Sequence, residues 1–332
     1  MILKLPWPPS STHLPRLPHL RRLFHSTTDT SFTDASSIFH YAIKSCSETT
    51  SLVTSHSLHA RLIRTGLVSS RFLQNHLLNA YFKCDALEDV RRLVTEIEYP
   101  NVFTYNAMII GYGICNRLRD AEKVFNKMPE RDPVSWSSML SACFRNGKPE
   151  RAVRLFVWMV GEENGRVPDQ HSVTCVMKAV GRIGFLGLAI QVHGFVEKFG
   201  FGDVSEVCAS LIDMYIKCGA VGLAEQVFRR VERPSLFCLN SMLYGYSISS
   251  GIRGSLDFFH GMEERDVVLW HTIISLLSQH GYAVQALEMF IQMSFQGFRT
   301  NSETYASVLS ACTDLNDWDW GRHLHARIVR SE

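Results

Sequence analysis

The sequence predicts an all-α fold, a superhelical solenoid of helix–turn–helix repeats, and two observations carry that prediction. The chain matches itself when shifted by 134 residues, and within each copy the apolar residues recur at helical rather than strand spacing. Its 332 residues exceed what one compact core ordinarily holds, whereas a solenoid lengthens its core repeat by repeat.

The shift of 134 lays Phe103 on Phe237, Asn106 on Asn240, Gly111-Tyr112 on Gly245-Tyr246, Arg131-Asp132 on Arg265-Asp266 and Trp136 on Trp270. Upstream it lays His59 on His193, Gly66 on Gly200, Tyr81 on Tyr215 and Lys83-Cys84 on Lys217-Cys218. One unit has been duplicated. Each copy divides into four segments: 36–70, 71–101, 102–132 and 133–169, then 170–204, 205–235, 236–266 and 267–301, with a shortened ninth at 302–332.

Each segment reads as two short helices. In 102–132 the first covers about Phe103–Tyr112, and the second carries Leu118, Ala121, Phe125 and Met128 on one face. Pro129 biases Met128 out of the helical region, which makes Met128 the expected last helical residue. In 236–266 Ile252, Phe258, Phe259 and Met262 repeat the stripe. A lone hairpin of this kind cannot bury its apolar face, so neighbours must stack.

Residues 1–35 read differently. The first 28 residues carry Lys4, Arg16, Arg21 and Arg22, no Asp or Glu, and Pro6, Pro8, Pro9, Pro15 and Pro18. That composition is expected of an organelle transit peptide, with a disordered tail as the alternative. Arg22-Leu23-Phe24 before His25-Ser26 resembles a mitochondrial processing site; a plastid address is the alternative destination.

Composition bounds the rest. No apolar run reaches the length of a membrane-spanning helix, so no membrane partner is expected. A net charge of +2 excludes a surface that grips nucleic acid by phosphate neutralisation alone, so any nucleic-acid site must be local. The nine cysteines, Cys46, Cys84, Cys115, Cys143, Cys175, Cys208, Cys218, Cys238 and Cys312, never form C-x-x-C and are expected to be reduced core residues.

The runs "NVFTYNAMIIGYG" (101–113), "AEKVFNKMPERDPVSWSSML" (121–140), "SLIDMYIKCGAVGLAEQVF" (210–228), "SETYASVLSACTDL" (302–315) and "GRHLHARIV" (321–329) resemble the plant pentatricopeptide repeats of the PLS type. That type alternates these segment lengths; tetratricopeptide repeats keep a fixed period and a W-x-x-L-G-x-x-Y motif that is missing here. The resemblance implies a right-handed superhelix and binding of single-stranded organellar RNA, about one base per repeat. Segments 36–70, 170–204 and 302–332 resemble the long class with its late histidine, here His59, His193 and His325. These lie in separate repeats, so packing rather than metal binding is expected of them. Segments 71–101, 102–132, 205–235 and 236–266 correspond to the short class, and 133–169 and 267–301 to the standard class.

In the family the base is read by the fifth and last residues of a repeat. Carried over, the pairs are His40/Ser70, Asn75/Asn101, Asn106/Asp132, Ser137/Asp169, Thr174/Val204, Ala209/Ser235, Asn240/Asp266 and His271/Asn301. The base-reading assignment rests on Asn75, Asn101, Asn106, Asp132, Ser137, Asp169, Asn240, Asp266, His271 and Asn301. Amide, hydroxyl and carboxylate groups suit a base's Watson–Crick edge, although Asn and Asp before a helix are equally suited to capping it. The second residues Phe72, Phe103, Val134, Phe237 and Val268 are the implied base-stacking surfaces; Ser37, His171, Glu206 and Glu303 break that pattern.

Related plant proteins edit RNA through a C-terminal zinc deaminase that needs H-x-E and P-C-x-x-C, and neither motif occurs here. No phosphate loop, G-x-S-x-G or H-E-x-x-H occurs either. The reading is therefore a non-enzyme without cofactor or metal, lacking the E extension and deaminase domain, which could serve editing with a deaminase or editing cofactor acting in trans. The last segment would expose Leu324, Ile328 and Val329, so a truncated form of a longer protein is expected. A helical scaffold for a protein partner is the alternative.

Overall fold

The computed structural model describes residues 37, 39–45, 50–161, 168–316 and 318–322. The leader 1–35, Cys46, Leu324, His325, Ile328 and Val329 lie outside them. Among the described residues every regular element is helical, and the chain is an α-solenoid of paired helices.

Two compact units are present, one ending at Lys148 and one starting at Pro149. After a helical stretch at 39–45, the first unit contains α1 (Leu52–Arg64), α2 (Arg71–Lys83), α3 (Leu87–Glu96), α4 (Val102–Ile114), α5 (Leu118–Lys127) and α6 (Pro133–Arg145). The second contains α7 (Pro149–Gly161), α8 (Gln170–Ile183), α9 (Leu186–Lys198), α10 (Ser205–Lys217), α11 (Val221–Arg230), α12 (Leu236–Ser249), α13 (Gly251–His260), α14 (Val267–Gln279), α15 (Ala283–Phe295) and α16 (Ser302–Asp314). In the first unit α2, α4 and α6 pack in succession, with α3 and α5 behind them. In the second, α8, α10, α12, α14 and α16 do the same, backed by α9, α11, α13 and α15.

Each pair turns at a left-handed residue. Gly219 (φ 74°) and Gly281 (φ 78°) adopt it without a Cβ penalty, while Asp85 (φ 53°) and Asn116 (φ 55°) are among the few other residue types that tolerate it. The corner is closed by a hydrogen bond from the Ala86 amide to the Tyr81 carbonyl (3.0 Å), and from Ala220 to Tyr215 (2.9 Å). The short segments owe their length to the second helix: α3, α5, α11 and α13 have 10 residues, against 13 in α1, α7, α9 and α15.

The expected apolar stripe of α5 is buried, but the helix stops at Lys127 and Met128 is its extended C-cap. The first helix of that segment runs to Ile114, past the expected Tyr112, with Gly111 and Gly113 inside it. Both glycines are required by packing: a Cβ on Gly111 would lie 2.1 Å from the Phe82 ring, and one on Gly113 2.8 Å from Ala142. The duplicated Trp136 and Trp270 are fully buried, each edge-on to a phenylalanine of the preceding helix, Phe125 at 5.0 Å and Phe259 at 4.9 Å. Arg131 and Arg265 lie over those phenylalanine rings, and each donates from Nε to its phenylalanine's carbonyl. Cys143, Cys175, Cys208, Cys238 and Cys312 are buried and Cys84, Cys115 and Cys218 half-buried, none of them in a disulfide.

Candidate nucleic-acid interface

In each unit apolar side chains stand in solvent at the first turns of the first helices. Phe72 is 52% exposed, Phe103 73% and Val134 50% in the first unit; Phe237 is 50% and Val268 53% in the second. Burial does not account for large apolar groups there, and a flat partner would gain area on them. At the equivalent places His171, Glu206 and Glu303 are exposed polar residues.

The last residues of the segments are helix caps. Asn101, Asp132, Asp169, Asp266 and Asn301 each accept from the amide three residues on, and Ser235 does the same for α12. That is the capping role these residue types serve, and it leaves a second polar atom on each carboxylate or amide. Pro133 follows Asp132 as the first helical residue, where its missing N–H costs nothing.

The structure brings Asn106 and Asp132 together. Asn106 Nδ2 donates to Asp132 Oδ1 at 3.2 Å, and the Ser135 amide and hydroxyl donate to the same oxygen at 2.7 Å each. Burial pushes the Asp132 carboxyl up, but the bonds from Ser135 and Asn106 outweigh it and hold the group below its ordinary value. Asn106 is buried, and its Oδ1 has no partner; the same holds for Oδ1 of half-buried Asn75. Asn75 and Asn101 are not directly bonded to each other, and neither are Asn240 and Asp266.

The remaining fifth residues differ. Ser137 is buried and donates to the Val134 carbonyl of its own helix at 3.2 Å. His271 has both ring nitrogens engaged, Nε2 with Glu303 at 3.3 Å and Nδ1 with the Thr304 hydroxyl at 3.4 Å. Asn240 accepts from Thr272 of α14, the first helix of the next segment, at 2.9 Å. Sequence reasoning missed Thr272, whose only signal is its position one residue beyond the fifth of the next segment. His40 packs against His76 and Phe72 with ring centroids 4.2 and 5.0 Å away.

His59 and His193 are packed between repeats, as their isolation suggested. His59 Nδ1 meets the Tyr81 hydroxyl at 2.9 Å and His193 Nδ1 meets Tyr215 at 2.7 Å. Among the described residues no group of three or more His, Cys, Asp or Glu is placed to hold a metal ion, and no helix is long and apolar enough to cross a membrane.

Profiles of the PPR repeat match residues 99–129, 134–161 and 268–298. The repeats are pentatricopeptide repeats. Curated pentatricopeptide repeat-containing proteins of Arabidopsis thaliana carry the likeness along most of the chain. One named as mitochondrial is 32% identical over 77% of this chain and 36% of its own length, and another is 31% identical over 91% and 39%. A third, named as chloroplastic, is 25% identical over 86% of this chain and 28% of its own length. The chain thus spans well under half the length of these relatives. The pentatricopeptide fold is also that of the protein PPR10 in its complex with an 18-nt psaJ RNA element: TM-score 0.70, 17% identity, 95% of this chain and 48% of that one.

Proposed function

We propose that this chain binds single-stranded RNA in a sequence-specific manner inside an organelle. Its role is that of a site-recognition factor in RNA processing such as C-to-U editing, with a deaminase or editing cofactor acting in trans. The observation that carries the reading is the exposure of Phe103 beside the Asn106–Asp132 pair: a flat apolar group for a base face next to an amide and a carboxylate for its edge. The RNA named in the PPR10 complex and the organellar names of the relatives support it.

Asn106/Asp132 and Asn240/Asp266 select U, Asn75/Asn101 a pyrimidine with C favoured, and Ser137/Asp169 G, with the RNA running 5′ to 3′ along the chain. The target then reads pyrimidine-U-G, two unassigned bases, U. Asn106→Thr replaces the amide by a hydroxyl and moves preference at its base from U toward G. Binding to four RNAs varied only at that base tests this, and identical ranking by both proteins sinks the reading. The leader 1–35 directs the protein to mitochondria, which a fluorescent fusion of those residues tests; plastid or cytosolic signal refutes it.

A protein-scaffold reading is favoured by one feature, the exposed apolar residues Ile110 and Ile114 on α4 and their counterparts Tyr244 and Ile248 on α12. Salt separates the two: RNA affinity falls steeply as salt rises, and contact through these apolar groups does not.

A further inference from the structure

We propose that Thr272 sets how strictly the 236–266 segment selects its base, by occupying the acceptor oxygen of Asn240; this rests on the RNA-reading assignment above. Asn106/Asp132 and Asn240/Asp266 are identical as pairs, yet their amides are held differently. Asn240 Nδ2 donates to the Leu236 carbonyl of its own helix at 3.0 Å, which fixes the orientation of the amide. Oδ1 then faces the Thr272 hydroxyl at 2.9 Å. That hydroxyl has one proton, which it shares between Asn240 and the Val268 carbonyl at 2.8 Å.

The Asn106 amide has different partners. Its nitrogen is held by Asp132, and its oxygen is buried with no partner. At the register of Thr272 the segment after Asn106 carries Ser138, whose hydroxyl makes no bond to Asn106 Oδ1. A threonine with its donor held toward Asn240 occurs at this register only in the 267–301 segment.

The consequence for base choice follows from the edges involved. Uracil presents an N3–H donor where cytosine presents an N3 acceptor. An amide oxygen open to the base gains a hydrogen bond from the uracil N3–H and meets a lone pair on cytosine. An oxygen already accepting from a hydroxyl gains less from the same N–H. Thr272 therefore weakens the separation of U from C in the 236–266 segment.

The test uses the full chain and RNAs carrying pyrimidine-U-G-N-N-U, with either the second or the sixth base changed from U to C. In the wild type U is preferred over C at both bases. Thr272→Val, which removes the hydroxyl at nearly constant shape, raises the ratio at the sixth base about two- to tenfold, the worth of one neutral hydrogen bond. It leaves the second base unchanged, and Thr272→Ser keeps the wild-type ratio. Circular dichroism confirms folding, and Thr272→Ala replaces the valine variant if that fails to fold. An unchanged ratio at the sixth base, with discrimination intact at the second, overturns the role of Thr272 and leaves the RNA reading standing. Indifference of the wild type at both bases overturns the RNA reading and this proposal with it.

Discussion

His193 on α9 and Tyr215 on α10 meet at 2.7 Å, and the duplicated His59 and Tyr81 meet at 2.9 Å, so one side-chain bond joins the second helix of a long repeat to the first helix of the next in both units. The His193 bond continues outward, with Nε2 3.2 Å from Glu197 and Glu197 2.8 Å from Arg230 on α11. Removing the hydroxyl with Tyr215→Phe leaves the ring packing and costs about 0.5–1.5 kcal/mol, the net value of such a bond. Urea denaturation followed by circular dichroism measures it. A variant as stable as the wild type means the contact contributes nothing.

Acid acts on the same contact in the first unit. Burial lowers the His59 pKa below its ordinary 6.5, more than Glu96 raises it; His56 lowers it further and Asp89 raises it. The unfolded chain then binds more protons than the folded one between the two values. Stability therefore falls as pH drops through about 6.5 and levels off below the folded pKa. His59→Gln reduces this slope. Equal urea-midpoint shifts between about pH 7.5 and about pH 5.5 for both proteins would refute it.

Phe103 and Trp136 should respond in opposite ways to truncation. Phe103 is largely exposed and Trp136 fully buried. Phe103→Ala leaves the melting curve nearly unchanged and weakens RNA binding by about 1–3 kcal/mol, the worth of stacking on one base. Trp136→Ala destabilises by about 3–5 kcal/mol through the cavity it leaves beside Phe125. Equal RNA affinity for wild type and Phe103→Ala would remove stacking from the account.

Asp132 caps α6 and holds Asn106, so its loss combines two effects. Asp132→Ala costs about 0.5–2 kcal/mol as a cap. Because the folded carboxyl titrates below its ordinary value, the Asp132 contribution is present above the unfolded carboxylate pKa of about 3.9 and is lost as pH falls through the folded one. The difference in stability between wild type and variant, followed from neutral pH into acid, shrinks accordingly. A difference that stays constant would show that the cap is not charge-dependent.

The repeats are legible in residue order alone, because a 134-residue duplication and a 3.6-residue apolar period need no knowledge of distant contacts. Phe125 and its copy Phe259 were legible as core from that stripe, Trp136 and Trp270 only as a duplicated pair, and Phe72, Phe103 and Phe237 were singled out through the family resemblance. Helix ends were less legible: the first helix of 102–132 runs to Ile114 rather than Tyr112, and the approach of Phe82 and Ala142 shows why Gly111 and Gly113 sit inside it. Only the tertiary structure decided how like pairs differ. Asn106 is held by Asp132, and Asn240 by the Leu236 carbonyl and by the Thr272 hydroxyl across a repeat boundary. Local sequence fixes which groups a helix carries, whereas the partner that takes each lone pair is set by packing between helices that are about thirty residues apart along the chain.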